Sequence, residues 1–278
     1  MNISGISREV KIAIHEAREE LSPYLKRLDL EKLSKHNRGY LDYANDPVGW
    51  FIDVEMHSHA RIVNFLYKTL SPKSRIMDIG FFIPVVPITL AKLGFHVSSI
   101  ENLAFYDNAL NDIISLASQS HGIKVLDFDI LHDDIESMNQ FDAVILSAIL
   151  EHLNGSPKEI LKRAQALGDE TAYYIIVVPN VAALHKRISF LLKGAPPFPS
   201  ISVYFQSAYP FTGHNREYTI RDLKYVLKQS GFETVHFETF NKPIVFNRSF
   251  KAYFLNMLAR IGPESLADGI IAVSRRSL

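Results

Sequence analysis

The sequence of 278 residues contains no cysteine. Disulfide bonds, thiolate metal sites and thiol nucleophiles are therefore excluded, and the absence is compatible with the reducing cytoplasm where we expect this protein. Long apolar runs are also missing, because prolines interrupt the longest one, Ile79 to Leu90, and a membrane-spanning helix needs about 18 apolar residues. The first twenty residues mix charged with apolar side chains, so neither a signal peptide nor a membrane span is expected.

An excess of charge of either sign is absent as well, since 30 basic residues balance 30 acidic ones. A neutral chain has no general attraction to nucleic acid or to an anionic membrane, so a small molecule is the expected partner and nucleic acid is not. The hydrophobic fraction of 47% is that of a globular protein, and the length suits one large domain with a small accessory one.

Residues 1–70 are predicted to form an N-terminal helical cap. An apolar stripe from Val10 to Leu21 indicates a first helix, Pro23 is expected in the first turn of a second, and a third is expected over about Asp53 to Leu70. A Ser-Pro-Lys-Ser stretch at 71–74 then breaks the helical pattern.

Residues 71–278 alternate short β-rich runs with helical stretches. Strands are predicted over Arg75–Ile79, His96–Ile100, Lys124–Phe128, Phe141–Leu146, Tyr173–Val178, Glu233–Thr239 and Gly269–Ser274. Helices are predicted over Pro87–Leu93, Asn108–Ser118, Pro157–Leu167 and Thr219–Gly231. This order predicts an α/β fold with a doubly wound, mainly parallel seven-stranded sheet, and the two late strands predict an antiparallel edge strand.

Ligands of an open α/β sheet bind beyond the carboxyl ends of its strands, so the residues after each strand are the candidates for a site. Gly80 after the first strand allows a tight turn, and Glu101 at the end of the second can accept hydrogen bonds from both hydroxyls of a ribose. Asp129 with Ile130 after the third strand can hold an adenine. The set suits an adenosine-containing ligand, although Asp129 can also cap a turn and Glu101 can lie at a helix N-terminus.

Five short phrases occur in an order typical of one enzyme class. They are Phe141–Val144, Leu150–Leu153, Val178–Asn180, His214–Thr219 and Gly231–Phe232. Together they resemble class I S-adenosylmethionine-dependent methyltransferases, most closely the group that includes the ubiquinone-biosynthesis methyltransferases, over about residues 70–278. The resemblance implies a Rossmann-like fold, S-adenosyl-L-methionine as cofactor and a small-molecule methyl acceptor.

The same resemblance implies a set of cofactor-binding residues. They are Asp78, Ile79, Gly80, Glu101, Asn102, Asp129, Ile130 and Ser147. Within this set, Asp78 is expected near the methionine amino group, Glu101 on the ribose, and Asp129 on the adenine amino group.

The glycine loop departs from the family pattern, because Phe82 and Pro84 replace its second and third glycines. Either the backbone keeps its usual path and the Phe82 ring points away from the ligand, or a side chain fills the methionine pocket. We predict the first outcome, because Asp78, Glu101 and Asp129 are all in place. If the second holds, the chain is a non-catalytic binding or scaffold protein. A dehydrogenase is disfavoured, because the glycines that admit a pyrophosphate are missing.

The candidates for chemistry and for acceptor binding follow the fourth and fifth strands. The weak catalytic candidates are Glu151, His152 and His214, and the predicted substrate-binding residues are His185, His214, Arg216 and Tyr218. A proline-rich insert over 190–217 is predicted to cover the acceptor, with a packed surface loop as the alternative. No metal is expected, because His57 and His59 have no third ligand at a metal-binding spacing.

Overall fold

The computed structural model describes residues 5–28, 47–106, 109–135, 138, 140–195, 199, 201–207, 211, 213–242, 258 and 261–277. Parts of three predicted segments lie outside these residues: the helix expected after Pro23, the start of the helix at Asn108, and positions 196–198, 200, 208–210 and 212 of the insert.

Within residues 5–28 and 47–74, two helices precede the sheet: α1 (Arg8–Leu25) and α2 (Pro47–Thr69). The apolar stripe of α1 is buried as predicted, with Val10, Ile14 and Leu21 fully enclosed. The prediction for Pro23 was wrong, because this residue lies inside α1 rather than at the start of a second helix. Its missing N–H costs one helical hydrogen bond, and α1 ends at Leu25.

The sheet has seven strands in the order β3-β2-β1-β4-β5-β7-β6. Their bounds are β1 Arg75–Ile79, β2 His96–Glu101, β3 Lys124–Asp127, β4 Phe141–Ser147, β5 Gly168–Pro179, β6 Phe232–Phe240 and β7 Gly269–Arg276. The pairs from β3 to β5 are parallel, whereas β7 runs antiparallel to both β5 and β6. The predicted mainly parallel sheet with an antiparallel strand at one side is confirmed, and β6 forms the outer edge.

In the described part of the chain, six further helices follow the first strand. They are α3 Val85–Lys92, α4 Asn111–Ser115, α5 Lys158–Leu167, α6 Leu184–Lys193, α7 Ile201–Gln206 and α8 Ile220–Gln229. Short 3-10 turns cover Leu103–Tyr106, Leu150–His152 and Glu264–Leu266, and a π turn at Leu116–Ser120 continues α4. Thr219 caps α8, because its hydroxyl accepts the N–H of Asp222 at 3.1 Å and the Asp222 carboxylate accepts the Thr219 N–H at 3.2 Å.

Alternate side chains of the central strands enter two separate hydrophobic clusters, one on each face of the sheet. Ile145 and Ile175 pack on one face against α1, α2 and α3, while Leu146 and Ile176 pack on the other against α5 and α8. Burial on both faces explains the continuous apolar runs of these strands and confirms the doubly wound architecture. The helices α1 and α2 therefore share a core with the sheet.

None of the helices in the described part of the chain is both long enough and apolar enough to cross a membrane.

Candidate active site

A cavity of about 990 Å³ opens at the carboxyl ends of the parallel strands. The predicted site residues in its wall are Asp78, Ile79, Gly80, Glu101, Asn102, Asp129, Ile130, Ser147, Glu151, His152 and His214. Residues of α2 close the cavity on one side, and the start of β7 reaches it at Gly269. The topology thus brings residues from many separate chain segments to one concave surface, as expected for an open α/β sheet.

Gly80 turns the chain at the end of β1 with a φ of +70°, and its N–H donates to the carbonyl of Ile100 at 2.8 Å. A Cβ at this position would overlap the Cδ1 of Ile149, which lines the same cavity. The position therefore requires glycine both for its backbone conformation and for the close approach of Ile149.

We expect Gly80→Ala to lower the free energy of unfolding by more than Gly122→Ala does. Both glycines have a positive φ (+70° and +64°), but a Cβ at Gly122 would meet nothing within 4 Å. The left-handed conformation costs a non-glycine residue roughly 1–2 kcal/mol in either variant. Displacing Ile149 from its rotamer adds about 0.5–1.5 kcal/mol at position 80 alone. Urea unfolding measures the difference, and equal losses would show that Ile149 moves without cost.

Two non-glycine residues of the cavity wall also have positive φ values, Phe82 at +48° and Ala148 at +57°. Such conformations cost energy and concentrate at ligand sites, where the surrounding structure maintains them. A hydrogen bond helps to hold the first, because the Phe82 N–H donates to Oε2 of Glu101 at 2.7 Å. The Phe82 ring stacks on Tyr106 with 5.6 Å between ring centroids. Phe81 and Phe82 both line the cavity, and the orientation of the Phe82 ring relative to a bound ligand stays a prediction.

Glu101 is buried at the end of β2, where its carboxyl group accepts three hydrogen bonds. The donors are the N–H of Phe82, the N–H of Asn102 at 3.1 Å and the hydroxyl of Tyr106. Burial raises the pKa of Glu101 to about 7, and the hydrogen bonds oppose that rise in part. This carboxyl group therefore changes charge near neutral pH at the centre of the cavity wall.

Asp78 is 4% exposed and lies beside Glu101. Burial, together with the negative charge of Glu101, raises its pKa to about 7. Among the described residues, no side chain donates a hydrogen bond to this carboxyl group. A positively charged ligand group would therefore be stabilised here.

We expect Asp78→Asn to gain stability relative to the wild type as the pH rises from 5 to 8. The Asp78 pKa is 3.8 in a model compound and about 7 in the folded chain. The folded state therefore holds the extra proton, and the wild type loses stability as the pH rises through this interval. The difference between the variants should grow by at least about 1.4 kcal/mol, the free energy of one pKa unit. Urea unfolding at both pH values tests this, with exposed Asp112→Asn as control, and parallel wild-type and Asp78→Asn profiles would contradict it.

Asp129 follows β3 and both organises its own loop and faces the cavity. Its Oδ1 accepts the N–H of Leu131 at 2.9 Å, and its Oδ2 lies 3.0 Å from Nδ1 of His132 and 3.5 Å from Nδ2 of Asn102. Burial raises the pKa of Asp129, but the hydrogen bonds from His132 and Leu131 outweigh this and lower it overall. Asp129 therefore has the turn-capping role considered from the sequence. Its carboxylate has further lone pairs, so it can also accept a hydrogen bond from a ligand in the cavity.

The α2 side of the cavity carries charged and polar groups within an apolar surround. Lys242, which follows β6, forms a half-buried ion pair with Glu55 of α2. Burial lowers the pKa of His59 to about 4, so its imidazole is neutral at physiological pH. Its Nδ1 is buried and has no hydrogen-bond partner among the described residues. We call Ile52, Glu55, His59 and Lys242 the α2 end of the cavity, and Asp78, Gly80, Phe82, Glu101 and Asp129 the glycine-loop end.

Glu151, His152 and His214 meet in the wall of the same cavity. One potential ligand atom from each lies within 4.8 Å of those of the other two. The His152 and His214 rings are perpendicular, with 4.9 Å between centroids. Nδ1 of His214 lies 2.8 Å from Oε1 of Glu217, whose other oxygen pairs with Lys186. Burial alone would raise the pKa of Glu217, but His214 and Lys186 lower it to about 2.

Three of the four predicted substrate-binding residues do not line the cavity. Tyr218 is 1% exposed, and its hydroxyl lies 3.5 Å from the Leu150 carbonyl. Arg216 lies over the Tyr218 ring at 6.0 Å, and His185 pairs with Asp268 at 3.2 Å. His214, the fourth, is in the wall, and their contacts with a substrate stay predictions.

Sequence analysis did not identify Glu55, Tyr106 or Lys242, and it considered His59 only as a metal ligand. These residues belong to no motif. Glu55, His59 and Lys242 reach the cavity through tertiary packing of α2 and of the chain after β6, and Tyr106 reaches it from the 3-10 turn after β2. The one available signal was the pair of titratable residues at positions 55 and 59 on a helix whose apolar residues otherwise predict burial.

No family model and no curated protein sequence matches the chain. Many solved structures match its fold. Magnesium protoporphyrin IX methyltransferase from Synechocystis PCC 6803, with bound SAH, is 15% identical with a TM-score of 0.55, over 94% of this chain and 100% of that one. A 1,6-didemethyltoxoflavin-N1-methyltransferase from Burkholderia thailandensis, with its substrate and S-adenosylhomocysteine, is 14% identical with a TM-score of 0.55, over 100% of this chain and 94% of that one.

A small RNA methyltransferase is also similar, at 13% identity and a TM-score of 0.57 over 81% of this chain and 25% of that one. At these identities the likeness is one of fold. The described sheet, with its antiparallel seventh strand, is the Rossmann-like fold of S-adenosylmethionine-dependent methyltransferases.

Proposed function

We propose that this protein is an S-adenosylmethionine-dependent methyltransferase that acts on a small molecule. The observation that carries the proposal is the glycine-loop end of the cavity. There, Gly80, Glu101 and Asp129 follow three adjacent parallel strands and face one space, in a fold shared with structures that hold SAH. Acids after the second and third strands are suited to the ribose and the adenine of one nucleoside.

The chemistry of the donor set fits this cofactor. The buried Asp78 carboxyl group lacks a hydrogen-bonding side chain among the described residues, and the ammonium group of the methionine moiety would supply the missing positive charge. Glu101 would accept the ribose hydroxyls at the position where it now accepts the Tyr106 hydroxyl. Asp129 and Asn102 would meet the adenine amino group, with Ile130 against the ring.

Bound S-adenosylmethionine supplies a methyl group already activated by a sulfonium, so the chain mainly has to align the acceptor and exclude water. The apolar part of the cavity wall would serve this purpose, and Ile52, Phe211 and Phe240 contribute to it. The neutral imidazole of His59 offers one hydrogen bond to a polar group of the acceptor. Residues 1–70 and the 190–217 insert, through His59 and Phe211, would thus shape the acceptor pocket.

Binding of S-adenosylmethionine and SAH by calorimetry tests the proposal. We expect one site per chain with a dissociation constant in the micromolar range, about 8 kcal/mol of binding free energy. Transfer of a labelled methyl group from S-adenosylmethionine to small molecules of an acceptor library is expected in addition. No binding at about 1 mM of either ligand would refute the proposal.

A non-catalytic binding protein is the second candidate, and one observation favours it. The Glu101 carboxyl group is already satisfied within the chain by Phe82, Asn102 and Tyr106. If this arrangement is permanent, SAH cannot displace the Tyr106 hydroxyl, and Tyr106→Phe should bind SAH no differently from the wild type. If the Tyr106 hydroxyl competes with the ribose, the Phe variant should bind SAH more tightly.

A further inference from the structure

The backbone brings Glu151, His152 and His214 together from two distant parts of the chain. The first two lie in the 3-10 turn Leu150–His152 that follows β4. The carbonyl of Glu151 accepts the N–H of Asn215 at 2.7 Å and that of Arg216 at 3.2 Å, so the segment carrying His214 is held against this turn. The arrangement is therefore built by backbone hydrogen bonds and does not depend on chance contacts between side chains.

The buried Glu151 side chain lacks part of its hydrogen bonding. The residue is 1% exposed, and its buried Oε2 has no hydrogen-bond partner among the described residues. Burying a carboxylate oxygen without a donor or a cation is costly. Since this carboxyl group lines the cavity beside two imidazoles, a cation bound between the three groups would remove the cost.

The His214 ring is oriented as in many metal-binding histidines. Its Nδ1 donates to Oε1 of Glu217, and Lys186 holds the other oxygen of that carboxylate. A carboxylate on one ring nitrogen fixes the tautomer and leaves Nε2 with the lone pair that a metal ion needs. Lys186 and Glu217 are each 6% exposed at the side chain, so the support is rigid as well as charged.

We propose that Glu151, His152 and His214 bind a divalent transition-metal ion such as Zn²⁺ or Mn²⁺. Two imidazoles and one carboxylate form a ligand set suited to these ions, and the absence of cysteine leaves no competing thiolate site. Ligand atoms about 2.0–2.2 Å from such an ion lie roughly 3–4 Å from one another. In the structure the three ligand atoms lie within 4.8 Å of one another, so side-chain rotations would have to bring them slightly closer.

Three protein ligands leave at least one coordination position of the ion open. All three ligand residues line the cavity, so a molecule bound there can occupy that position. An oxygen of the methyl acceptor is the group that this position would hold. The metal site itself does not rest on the proposed methyltransferase function, because its ligands are separate from the residues assigned to S-adenosylmethionine.

Titration of metal-free protein with Zn²⁺ and with Mn²⁺, each alone, tests the site. We expect calorimetry and elemental analysis to give one ion per chain, together with a higher thermal midpoint. Glu151→Gln and His214→Gln should each weaken binding by at least about a hundredfold, beyond the range for groups that only support a ligand. The exposed His15→Gln in α1 is the matched control and should bind as the wild type does.

Either of two results would overturn the proposed metal site. Absence of stoichiometric binding to the wild type at about 1 mM metal would exclude it, and so would unchanged affinity in both ligand variants. If Glu151→Gln does not fold, the half-buried His152→Gln provides the same comparison. Measuring SAH binding with a chelator present, and metal binding with no SAH present, keeps the outcome distinct from that of the proposed function.

Discussion

Replacing Glu217 by alanine is expected to lower the free energy of unfolding by about 3–5 kcal/mol, the range for removing one partner of a buried ion pair. The side chains of Glu217 and Lys186 are each only 6% exposed. The variant leaves the Lys186 ammonium group buried without this carboxylate and removes the acceptor of the His214 Nδ1–H. Urea unfolding at neutral pH measures the change.

The matched control for this variant is Glu159→Ala. Glu159 pairs with Arg163 at 3.3 Å on the surface of α5, with 57% of its side chain exposed. Exposed pairs of this kind contribute at most about 1 kcal/mol. The double variant Lys186→Met/Glu217→Leu should recover much of the loss, because the charge and its partner leave together. A loss no larger than that of the control would show that the pair is solvated in the folded protein.

Glu101→Gln is expected to weaken the binding of SAH about ten- to a hundredfold. A hydrogen bond to a charged group contributes roughly 1.5–3 kcal/mol, and the amide retains the shape of the side chain while losing its charge. Wild-type affinity should also rise between pH 6 and pH 8, because the pKa of Glu101 is about 7 and the ionised carboxylate is the better acceptor for ribose hydroxyls.

Calorimetry at three pH values separates these effects. The Gln variant should lose affinity and the part of the pH dependence that comes from Glu101, while the part from Asp78 remains. Exposed Asp112→Asn should keep the wild-type affinity and pH dependence. An unchanged dissociation constant in a folded Gln variant would remove Glu101 from the ligand site and weaken the proposed function with it.

The strand pattern was predictable because the strands are short, apolar and bounded by turn residues. The one large difference is in β5, which begins at Gly168 and not near Tyr173. Gly168 pairs with Phe141, and Tyr173 pairs with Ala143, so the residues between them form an irregularity in the ladder. Their polar sequence hid the pairing, since a bulge removes the alternation on which a strand prediction depends.

The glycine-loop end of the cavity was predictable for a different reason. In a parallel sheet, residues that follow neighbouring strands meet at one edge, so Gly80, Glu101 and Asp129 could be placed together from their sequence positions alone. No such rule brings Glu55, His59 and Lys242 together. Their meeting depends on where α2 packs against the sheet and where the chain leaves β6, and sequence periodicity contains neither quantity.

The three proposed metal ligands could not be predicted from the sequence, because tertiary structure brings them together as well. Glu151 and His152 are adjacent, and His214 follows far along the chain, so no compact spacing motif exists. The backbone hydrogen bonds from Asn215 and Arg216 to the Glu151 carbonyl produce the proximity. Such a contact becomes visible only when the tertiary structure is known.

The two ends of the cavity come from separate stretches of the chain, and this has an evolutionary consequence. Residues 78–130 build the glycine-loop end, whereas α2 and the residues after β6 build the α2 end. If the protein is the proposed methyltransferase, mutations at the α2 end would alter the acceptor pocket and leave the residues assigned to the nucleoside unchanged. Selection for a different acceptor should therefore act on residues 52–59 and 240–242. A library of variants randomised at these positions is the most direct way to change the specificity for the acceptor.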